Sequence, residues 1–388
     1  MDRIKLGRDL GSPIDWASAE SHVLINPRLP GDLKSRIQLA NLPQTSGHIW
    51  LGSSGTTAVG SITLYSLTKT GFLIAAEAVN RHLAVNASDV WLLTLPTFHV
   101  GGLSIWARAF LGGQRVVDRS LDGWTAEKFH AWVEEAGVTL VSLVPTQIFD
   151  LVKLGRKAPR SLRAIVVGGA ALTGELYFKA RELDFPVLPS FGATEVCSQI
   201  ATAELRSIDG DAFPELRVLS HIEVKLMDED RLAIRSASLF QIRADVTPQG
   251  VDILWRAGDW YVMKDLAELS FDEKDPGCIW LTPRGRTGDF VKVSGEMVSV
   301  LELSQLFFEI SGSVDFAILP ARDNRRGHQI VLALALADYK RVEDWIREFN
   351  LRVVPVAKIE NIYFVSELPK SDLKKILVGE LKKQLGLS

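Results

Sequence analysis

The stretch between residues 91 and 191 alternates short apolar runs with segments whose apolar residues recur at helical spacing. The strand-like runs are rich in β-branched and aliphatic residues and cover residues 91–95, 139–144, 162–167 and 185–188. Phe129, Trp132 and Val133 mark one face of a helix between the first two runs. Strands that alternate with helices predict an α/β fold whose sheet is at least partly parallel. A turn is predicted after the last run, at Phe191 and Gly192.

The pattern changes after about residue 215, where short alternating strands indicate a more antiparallel, distorted-barrel region. Residues 283–289 are rich in glycine and arginine, which indicates a linker between two domains. The remainder has a strand-helix-strand character, typical of a small α+β domain. Because 388 residues exceed one ordinary core, we predict a large domain over residues 1–288 and a small one over residues 289–388.

The composition excludes several classes of protein. Apolar residues make up 47% and the net charge is −3, so neither nucleic acid nor an anionic membrane is expected as a partner. No apolar run reaches the roughly 18 residues of a membrane-spanning helix, and the first residues lack the apolar core of a signal peptide. Only Cys197 and Cys278 are present, which favours a reducing, cytoplasmic setting. A homo-oligomer is compatible with this composition.

A run of small residues follows the apolar residues 48–51. In such a run, backbone N–H groups and hydroxyls can come close to an anion. It does not match the Walker-type loop, which ends in Gly-Lys-Ser/Thr, and a plain surface turn would have the same composition. The run consists of Ser53, Ser54, Gly55, Thr56 and Thr57.

Three further segments contain residues that could bind a nucleotide if the fold brings them together. In residues 191–195, an aromatic ring can stack on a base, and a hydroxyl and a carboxylate can serve a phosphate and Mg²⁺. Asp265 could accept hydrogen bonds from both hydroxyls of a ribose, or it could simply cap a turn or helix. In residues 369–375, lysines could serve a site or form the solvated face of a helix.

The order of these segments resembles the adenylate-forming acyl-CoA ligase superfamily. That family has a Ser-Gly-Thr-Thr loop, a Tyr-Gly-x-Thr-Glu motif, a Thr-Gly-Asp motif, a Gly-Arg-x-x-Asp hinge and a late motif with a lysine. Residues 95–102 (LPTFHVGG) are similar to the corresponding stretch of the o-succinylbenzoate–CoA ligases, and so are residues 327–334 (GHQIVLAL). The resemblance extends from about residue 46 to the C-terminal lysines.

The resemblance implies a reaction in two steps that uses ATP, Mg²⁺ and CoA. The acid first becomes an acyl-adenylate with release of pyrophosphate, and CoA then displaces AMP while the small domain rotates. The nucleotide would contact Ser53, Ser54, Gly55, Thr56, Thr57, Gly168, Gly169, Ala170, Phe191, Gly192, Asp265 and Arg286. Catalysis would use Thr194, Glu195 and Lys375, with Glu195 also holding Mg²⁺. His99 and Ser198 would line the acyl pocket, Gly295 and Glu296 the CoA path, and Asp289 would lie at the hinge.

The sequence departs from the family pattern in three motifs. Ser61 stands where the family has the lysine of the phosphate loop, and Met263 and Lys264 replace Thr-Gly before Asp265. Lys374 replaces the glycine before Lys375, so either lysine could be the catalytic one. The chain also begins close to the phosphate loop, which predicts that it lacks an N-terminal subdomain of the family.

Three functions follow as hypotheses. The first is a ligase that converts o-succinylbenzoate to its CoA thioester in menaquinone biosynthesis. The second is a ligase for another aromatic or fatty acid. The third is a degenerate homologue that binds a nucleotide without turnover, which the loss of lysine at position 61 would favour.

Overall fold

The chain divides into two compact units. In the computed structural model, the described residues are 12–53, 61–272, 277–287, 289–294, 296–312, 315–323, 325–335, 339–371 and 376–387. The first unit comprises Met1–Met227, Ala233–Val262 and Glu268–Thr282, and the second comprises Asp228–Leu232, Met263–Ala267 and Pro283–Ser388. The domain boundary proposed between residues 288 and 289 stays a prediction.

The strands and helices are numbered here in chain order. The strands are β1 His22–Leu24, β2 His48–Gly52, β3 Ile62–Thr68, β4 Val90–Leu93, β5 Arg115–Asp118, β6 Leu140–Leu143, β7 Ala164–Val167, β8 Val187–Ala193, β9 Ser198–Thr202, β10 Leu216–Val218, β11 Glu223–Leu226, β12 Arg231–Arg235, β13 Ile242–Thr247, β14 Gly250–Trp255, β15 Trp260–Phe271, β16 Ile279–Arg286, β17 Phe290–Val293, β18 Glu296–Ser299, β19 Phe316–Asp323, β20 Gly327–Leu334 and β21 Ile359–Phe364. The helices are α1 Gly31–Leu39, α2 Lys69–His82, α3 Val100–Gly112, α4 Ala126–Ala136, α5 Pro145–Leu154, α6 Gly174–Glu182, α7 Val300–Ser311, α8 Tyr339–Arg352 and α9 Val378–Gln384.

The central sheet of the first unit confirms the predicted α/β class. Its order includes β10-β9-β8-β7-β6-β4-β5. The pairs β4–β5, β4–β6, β6–β7 and β7–β8 are parallel, whereas β9 joins β8 in antiparallel pairing. Because the helices of parallel crossovers cover both faces of such a sheet, its strands are buried and read as continuous apolar runs. That is why these runs were recognisable in the sequence.

Helix α4, beside this sheet, begins and ends at residues that favour helix termini. The Thr125 hydroxyl accepts a hydrogen bond from the Lys128 backbone N–H at the start of α4, a typical N-cap. Gly137 ends the same helix in the left-handed conformation, with φ +63°. The apolar face of α4 then packs Phe129 and Val133 into the core between helices and sheet.

A second sheet of the first unit contains β1-β2-β3-β13-β14 in that order. Strand β3 is paired with β2 on one side and β13 on the other, and both pairings are antiparallel. In the second pairing, Tyr65 lies directly opposite Arg243. Strand β3 is therefore central, and every residue from Thr63 to Leu67 is buried.

The second unit contains a small α+β core. Strands β19, β20 and β21 form one sheet and β17 and β18 form a hairpin. Helices α7 and α8 contribute Phe307 and Phe349, whose ring centroids lie 5.7 Å apart in the core. No helix among the described residues has both the length and the apolar character needed to cross a membrane.

Several sequence predictions need correction. Phe191 and Gly192 lie within β8 and not in a turn, because pairing with β9 extends the strand as far as Ala193. The short strands predicted after residue 215 begin with β10 and β11, which are separated by a turn in which the Ile222 N–H donates to the Leu219 carbonyl at 2.9 Å. The last helix begins at Val378, since Ile376 bridges to Lys370 in an extended conformation. Strand β1 and helix α1 went unrecognised among residues 1–45.

Candidate nucleotide site

The Phe191–Glu195 segment occupies the carboxyl end of β8. Phe191 and Gly192 are strand residues, and a 3₁₀ turn over Thr194–Val196 follows. Thr194 is buried and Glu195 is half-buried. The carboxyl ends of strands are where open α/β sheets bind their ligands, so the strand brings these groups to the expected edge.

The backbone after Glu195 reverses sharply. Cys197 and Ser198 have φ of +59° and +118°, a region that residues with a Cβ rarely adopt. Strand β9 then returns so close to β8 that a Cβ at position 192 would overlap the Ser198 carbonyl. Only glycine fits at 192, and backbone strain of this kind is typical of functional sites.

Glu195 is held through its backbone. Its carbonyl accepts a hydrogen bond of 2.8 Å from the Phe240 N–H. Tyr65 is only 6% exposed. Burial raises the pKa of Tyr65, and the negative charge of Glu195 acts in the same direction. The Tyr65 hydroxyl therefore stays protonated.

The glycines after β7 lie beside the start of this segment. Gly168 donates to the Leu143 carbonyl at 3.2 Å, and Gly169 has a φ of +84°. A Cβ at position 168 would come within 2.8 Å of the Ser190 hydroxyl oxygen, on the neighbouring strand. The structure thus brings Gly168 next to the residue before Phe191, while Gly169 lies against Val144 and Ala170 is exposed.

The phosphate-loop prediction falls mostly outside the described residues. Ser53 follows β2, and its N–H donates to the Thr63 carbonyl at 2.9 Å. The structure therefore places Ser53 at the end of the β2–β3 pair. The predicted residues Ser54, Gly55, Thr56 and Thr57 are not among the described ones.

His99 and Ser198 are also in the first unit. His99 immediately precedes α3, and its ring packs at a tilt against Phe98, with centroids 4.7 Å apart. At position 102, a Cβ would collide with the Leu95 and Pro96 carbonyls, which explains one glycine of the LPTFHVGG segment. Ser198 is the first residue of β9 and is half-buried.

The second unit carries Asp265, Arg286 and Asp289. The Arg286 guanidinium lies 3.3 Å from the Asp265 carboxylate, whose side chain is 13% exposed. Asp289 accepts the Arg286 N–H on its carboxylate at 2.9 Å, and its own N–H donates to the Arg286 carbonyl. The structure therefore assembles these three residues around one turn.

Of the remaining predicted residues, the structure describes only Glu296. Glu296 is exposed at the start of β18, opposite Val293. Gly295, Lys374 and Lys375 lie outside the described residues, so their predicted roles have no structural description.

The described residues contain no group of three or more His, Cys, Asp or Glu side chains arranged to hold a metal ion. The single carboxylate of Glu195 still fits Mg²⁺ that arrives with a nucleotide. Such an ion commonly takes one or two protein carboxylates and fills its other positions with phosphate oxygens and water.

Two features of the site escaped the sequence analysis. One is Tyr65. The other is the ion pair between Arg243 and Asp245, which lie 2.7 Å apart. The Asp245 carboxylate also accepts a hydrogen bond of 2.5 Å from the Thr63 hydroxyl. These residues lie on β3 and β13, whose pairing is not encoded in local spacing. Only the alternation along β3 hinted that Thr63 and Tyr65 share one face.

Comparison with known proteins points to one family. A model of the AMP-binding enzyme family matches residues 53–236, which include Ser53, the glycines after β7 and the whole Phe191–Glu195 segment. Over this segment the chain is similar to the adenylate-forming enzymes. Its second unit continues beyond the matched region.

Curated relatives match the chain at low sequence identity. The 2-succinylbenzoate–CoA ligase of Bacillus cereus (strain Q1) is 25% identical over 323 residues, which are 79% of this chain and 64% of that protein. The chain therefore spans about 64% of the length of this curated relative.

Two solved structures show the same fold. The o-succinylbenzoate CoA synthetase of Bacillus subtilis, in complex with its acyl-adenylate, has a TM-score of 0.70 and 22% identity, covering 86% of this chain and 68% of that one. An anthranilate CoA ligase in complex with anthranoyl-AMP has a TM-score of 0.69 and 17% identity, covering 89% and 69%.

Proposed function

We propose that this adenylate-forming protein is an acyl-CoA ligase that acts on o-succinylbenzoate in menaquinone biosynthesis. The observation that carries the proposal is the placement of Phe191, Thr194 and Glu195 at the carboxyl end of β8, beside the glycine turn after β7. The relative from Bacillus cereus, named a 2-succinylbenzoate–CoA ligase, supports the choice of acid. A cytoplasmic location belongs to the same proposal.

In the first half-reaction, the substrate carboxylate attacks the α-phosphate of ATP and pyrophosphate leaves. The backbone at Gly168–Ala170 would border the adenine, and Phe191 would stack on it. The Thr194 hydroxyl would donate to a phosphate, and Glu195 would hold Mg²⁺. Bound there, Mg²⁺ would neutralise charge on the departing pyrophosphate.

Residues outside this strand would complete the site. Ser53, Ser54, Gly55, Thr56 and Thr57 would surround the phosphates. Asp265 and Arg286 would hold the ribose, and a lysine at 375 or 374 would stabilise charge on the α-phosphate.

The second half-reaction would transfer the acyl group to the CoA thiol. His99 and Ser198 would line the acyl pocket, and Gly295 and Glu296 the CoA path. Asp289 would serve as the hinge between a domain over residues 1–288 and another over 289–388. CoA, ATP and the acid are then the small-molecule partners, and nucleic acid is not one of them.

Two observations favour other functions. The likeness to an anthranilate CoA ligase supports a ligase for a different aromatic acid. Ser61 in place of the phosphate-loop lysine supports a homologue that binds a nucleotide without turnover, because a cation over the β- and γ-phosphates is absent at that position.

One assay separates the three. The protein is incubated with ATP, Mg²⁺, CoA and a panel of acids that includes o-succinylbenzoate, and AMP and thioesters are followed by mass spectrometry. We expect AMP and a thioester with o-succinylbenzoate. AMP with other acids only would support the second function, and no AMP with any acid would exclude both ligases.

The catalytic lysine is tested separately. Lys375→Ala should abolish adenylation and spare thioester formation from preformed acyl-adenylate, because the cation acts only on the α-phosphate step. Lys374→Ala is the matched control. The opposite result for the two variants would assign the role to Lys374.

A further inference from the structure

Arg243 lies on β13, in the sheet from which the predicted phosphate loop emerges. It is opposite Tyr65 on β3, and Asp245 is opposite Thr63. Ala244, between the two charged residues, packs into the core on the other face of the sheet. Because side chains alternate along a strand, Arg243 and Asp245 share one face with Thr63 and Tyr65.

Hydrogen bonds connect Arg243 to the first residue of the predicted phosphate loop. The Ser53 N–H donates to the Thr63 carbonyl at 2.9 Å. The Thr63 hydroxyl donates to the Asp245 carboxylate at 2.5 Å. The same carboxylate accepts a hydrogen bond of 3.2 Å from Nε of Arg243 and lies 2.7 Å from Nη2. The guanidinium is thus directed along β13 toward Thr63, beside the point where the loop begins.

The segment that leads into β13 contacts the turn of Glu195. The N–H of Phe240, three residues before Arg243, donates to the Glu195 carbonyl at 2.8 Å. The Tyr65 ring, opposite Arg243, packs edge-on against the Phe240 ring, with centroids 4.9 Å apart. Arg243 therefore lies between the end of the phosphate loop and the turn that carries the carboxylate proposed to hold Mg²⁺.

We propose that Arg243 binds the β- and γ-phosphates of ATP. This inference rests on the proposed function, which places these phosphates at the loop that begins at Ser53. Residues 53–61 contain no lysine or arginine, and Ser61 stands where a lysine was expected. The phosphates carry several negative charges, and the planar guanidinium of an arginine can bind two phosphate oxygens at once. Arg243 would supply the charge that Ser61 lacks.

The pair with Asp245 leaves the guanidinium able to bind a second anion. A guanidinium has five N–H donors in a fixed plane, and Asp245 engages only Nε and Nη2. The Arg243 side chain is 37% exposed, so a ligand can reach its other N–H groups from solvent. Because Asp245 already fixes the orientation of the guanidinium, less conformational freedom is lost when ATP binds.

The test compares nucleotides with and without the β- and γ-phosphates. Isothermal titration calorimetry measures the binding of ATP with Mg²⁺ and of AMP, without acid or CoA, so that no turnover occurs. We expect Arg243→Ala to weaken ATP binding about 10-fold or more, the effect of losing a charged hydrogen bond, and to leave AMP binding unchanged. Arg243→Lys should retain part of the ATP affinity, because it keeps the charge without the fork. The same comparison is made with Arg243→Lys if Arg243→Ala does not fold.

Arg235→Ala is the matched control. Arg235 also lies on a strand of the first unit, and its partly exposed side chain is paired with the Glu223 carboxylate on the neighbouring strand. Its removal should leave the binding of both nucleotides as in the wild type. Equal losses of ATP and AMP affinity in Arg243→Ala would show that Arg243 merely holds β13 against β3, and would overturn the inference. Unchanged ATP affinity would also overturn it.

A second substitution restores a charge beside the loop. Ser61 immediately precedes β3. Added to Arg243→Ala, Ser61→Lys should recover most of the ATP affinity, because the lysine supplies the missing cation. A double variant that binds ATP no better than Arg243→Ala would mean that the loss does not come from a missing charge, and would overturn the inference.

The wild type distinguishes this inference from the proposed function. A wild type that binds ATP but forms no AMP with any acid would exclude the ligase, and the difference between ATP and AMP binding would still decide the role of Arg243. A wild type that does not bind ATP would overturn both.

Discussion

The turn after β8 and the turn at Arg286 carry comparable predicted roles, yet different forces hold them. Around the first, Thr194, Val196 and Cys197 are buried, and two successive residues have positive φ. Around the second, the Arg286 side chain is 41% exposed and pairs with Asp265 at 3.3 Å. Tertiary packing holds the first turn, whereas hydrogen bonds and a partly exposed ion pair hold the second.

The difference teaches where substitutions should disturb the fold and where they should disturb binding alone. A strained backbone residue costs about 1–3 kcal/mol and persists only where its surroundings enforce it. A partly exposed ion pair contributes about 0–1 kcal/mol. Changes at the first turn should therefore affect stability and binding together, and changes at the second mainly binding.

The largest effect is expected from Gly192→Ala. The new methyl group would meet the Ser198 carbonyl, which is backbone and cannot move aside without breaking the β8–β9 pairing. We expect a loss of about 3 kcal/mol in the free energy of unfolding and loss of nucleotide binding. Denaturant unfolding and calorimetry with ATP measure both.

Gly174→Ala is the control for that prediction. A Cβ at 174 meets only the Phe178 ring, at an ordinary 3.9 Å. Its stability should stay near that of the wild type. If Gly192→Ala is equally stable, the first turn is not enforced by packing and the contrast between the two turns fails.

Glu195→Gln should have the next largest effect, and this effect should be on the rate of adenylation alone. The amide keeps the shape but removes the charge proposed to hold Mg²⁺. We expect adenylation, measured as AMP formation, to fall about 100-fold. Glu175→Gln, which removes a half-buried partner of Lys179 on α6, should leave the rate unchanged. Unaltered AMP formation by Glu195→Gln would remove Glu195 from the proposed mechanism.

Asp265→Asn tests the second turn directly. Loss of charged hydrogen bonds to the ribose should raise KM for ATP about 10-fold. The free energy of unfolding should change by less than about 1 kcal/mol, because Arg286 can turn to solvent. Asp344→Asn, in an exposed pair with Arg347 on α8, is the control. A large loss of stability in Asp265→Asn would show that the second turn is as tightly packed as the first.

The smallest effect concerns how stability depends on pH, through a buried histidine of the first unit. Burial lowers the pKa of His221 from 6.5 to about 4, and both ring nitrogens are buried without a partner among the described residues. The unfolded chain therefore binds a proton below about pH 6.5 that the folded one refuses until about pH 4. Stability should therefore fall as pH drops through this window.

His221→Leu removes that titrating group. The decline in the unfolding midpoint between pH 6.5 and pH 4 should be shallower in this variant than in the wild type. Parallel declines in the two proteins would contradict the burial of a neutral imidazole at 221.

The sequence predicted what depends on local pattern. Strands β4, β6 and β7 and helix α4 were recognised because buried parallel strands and amphipathic helices leave periodic signals. The extension of β8 through Phe191 and Gly192 was missed, because it depends on pairing with β9. Helix α1 was missed because the first 45 residues have weak periodicity.

For the candidate site too, some features were predictable from the sequence and others were not. By its own order of motifs, the sequence indicated the likeness to adenylate-forming enzymes, the α/β class and Thr194, Glu195, Asp265 and Arg286 as candidate site residues. Only the tertiary structure decided that the Phe240 N–H donates to the Glu195 carbonyl and that Asp265 lies against Arg286. Each pair joins residues far apart in the chain, and no local spacing specifies which side chains two separately formed elements will bring together.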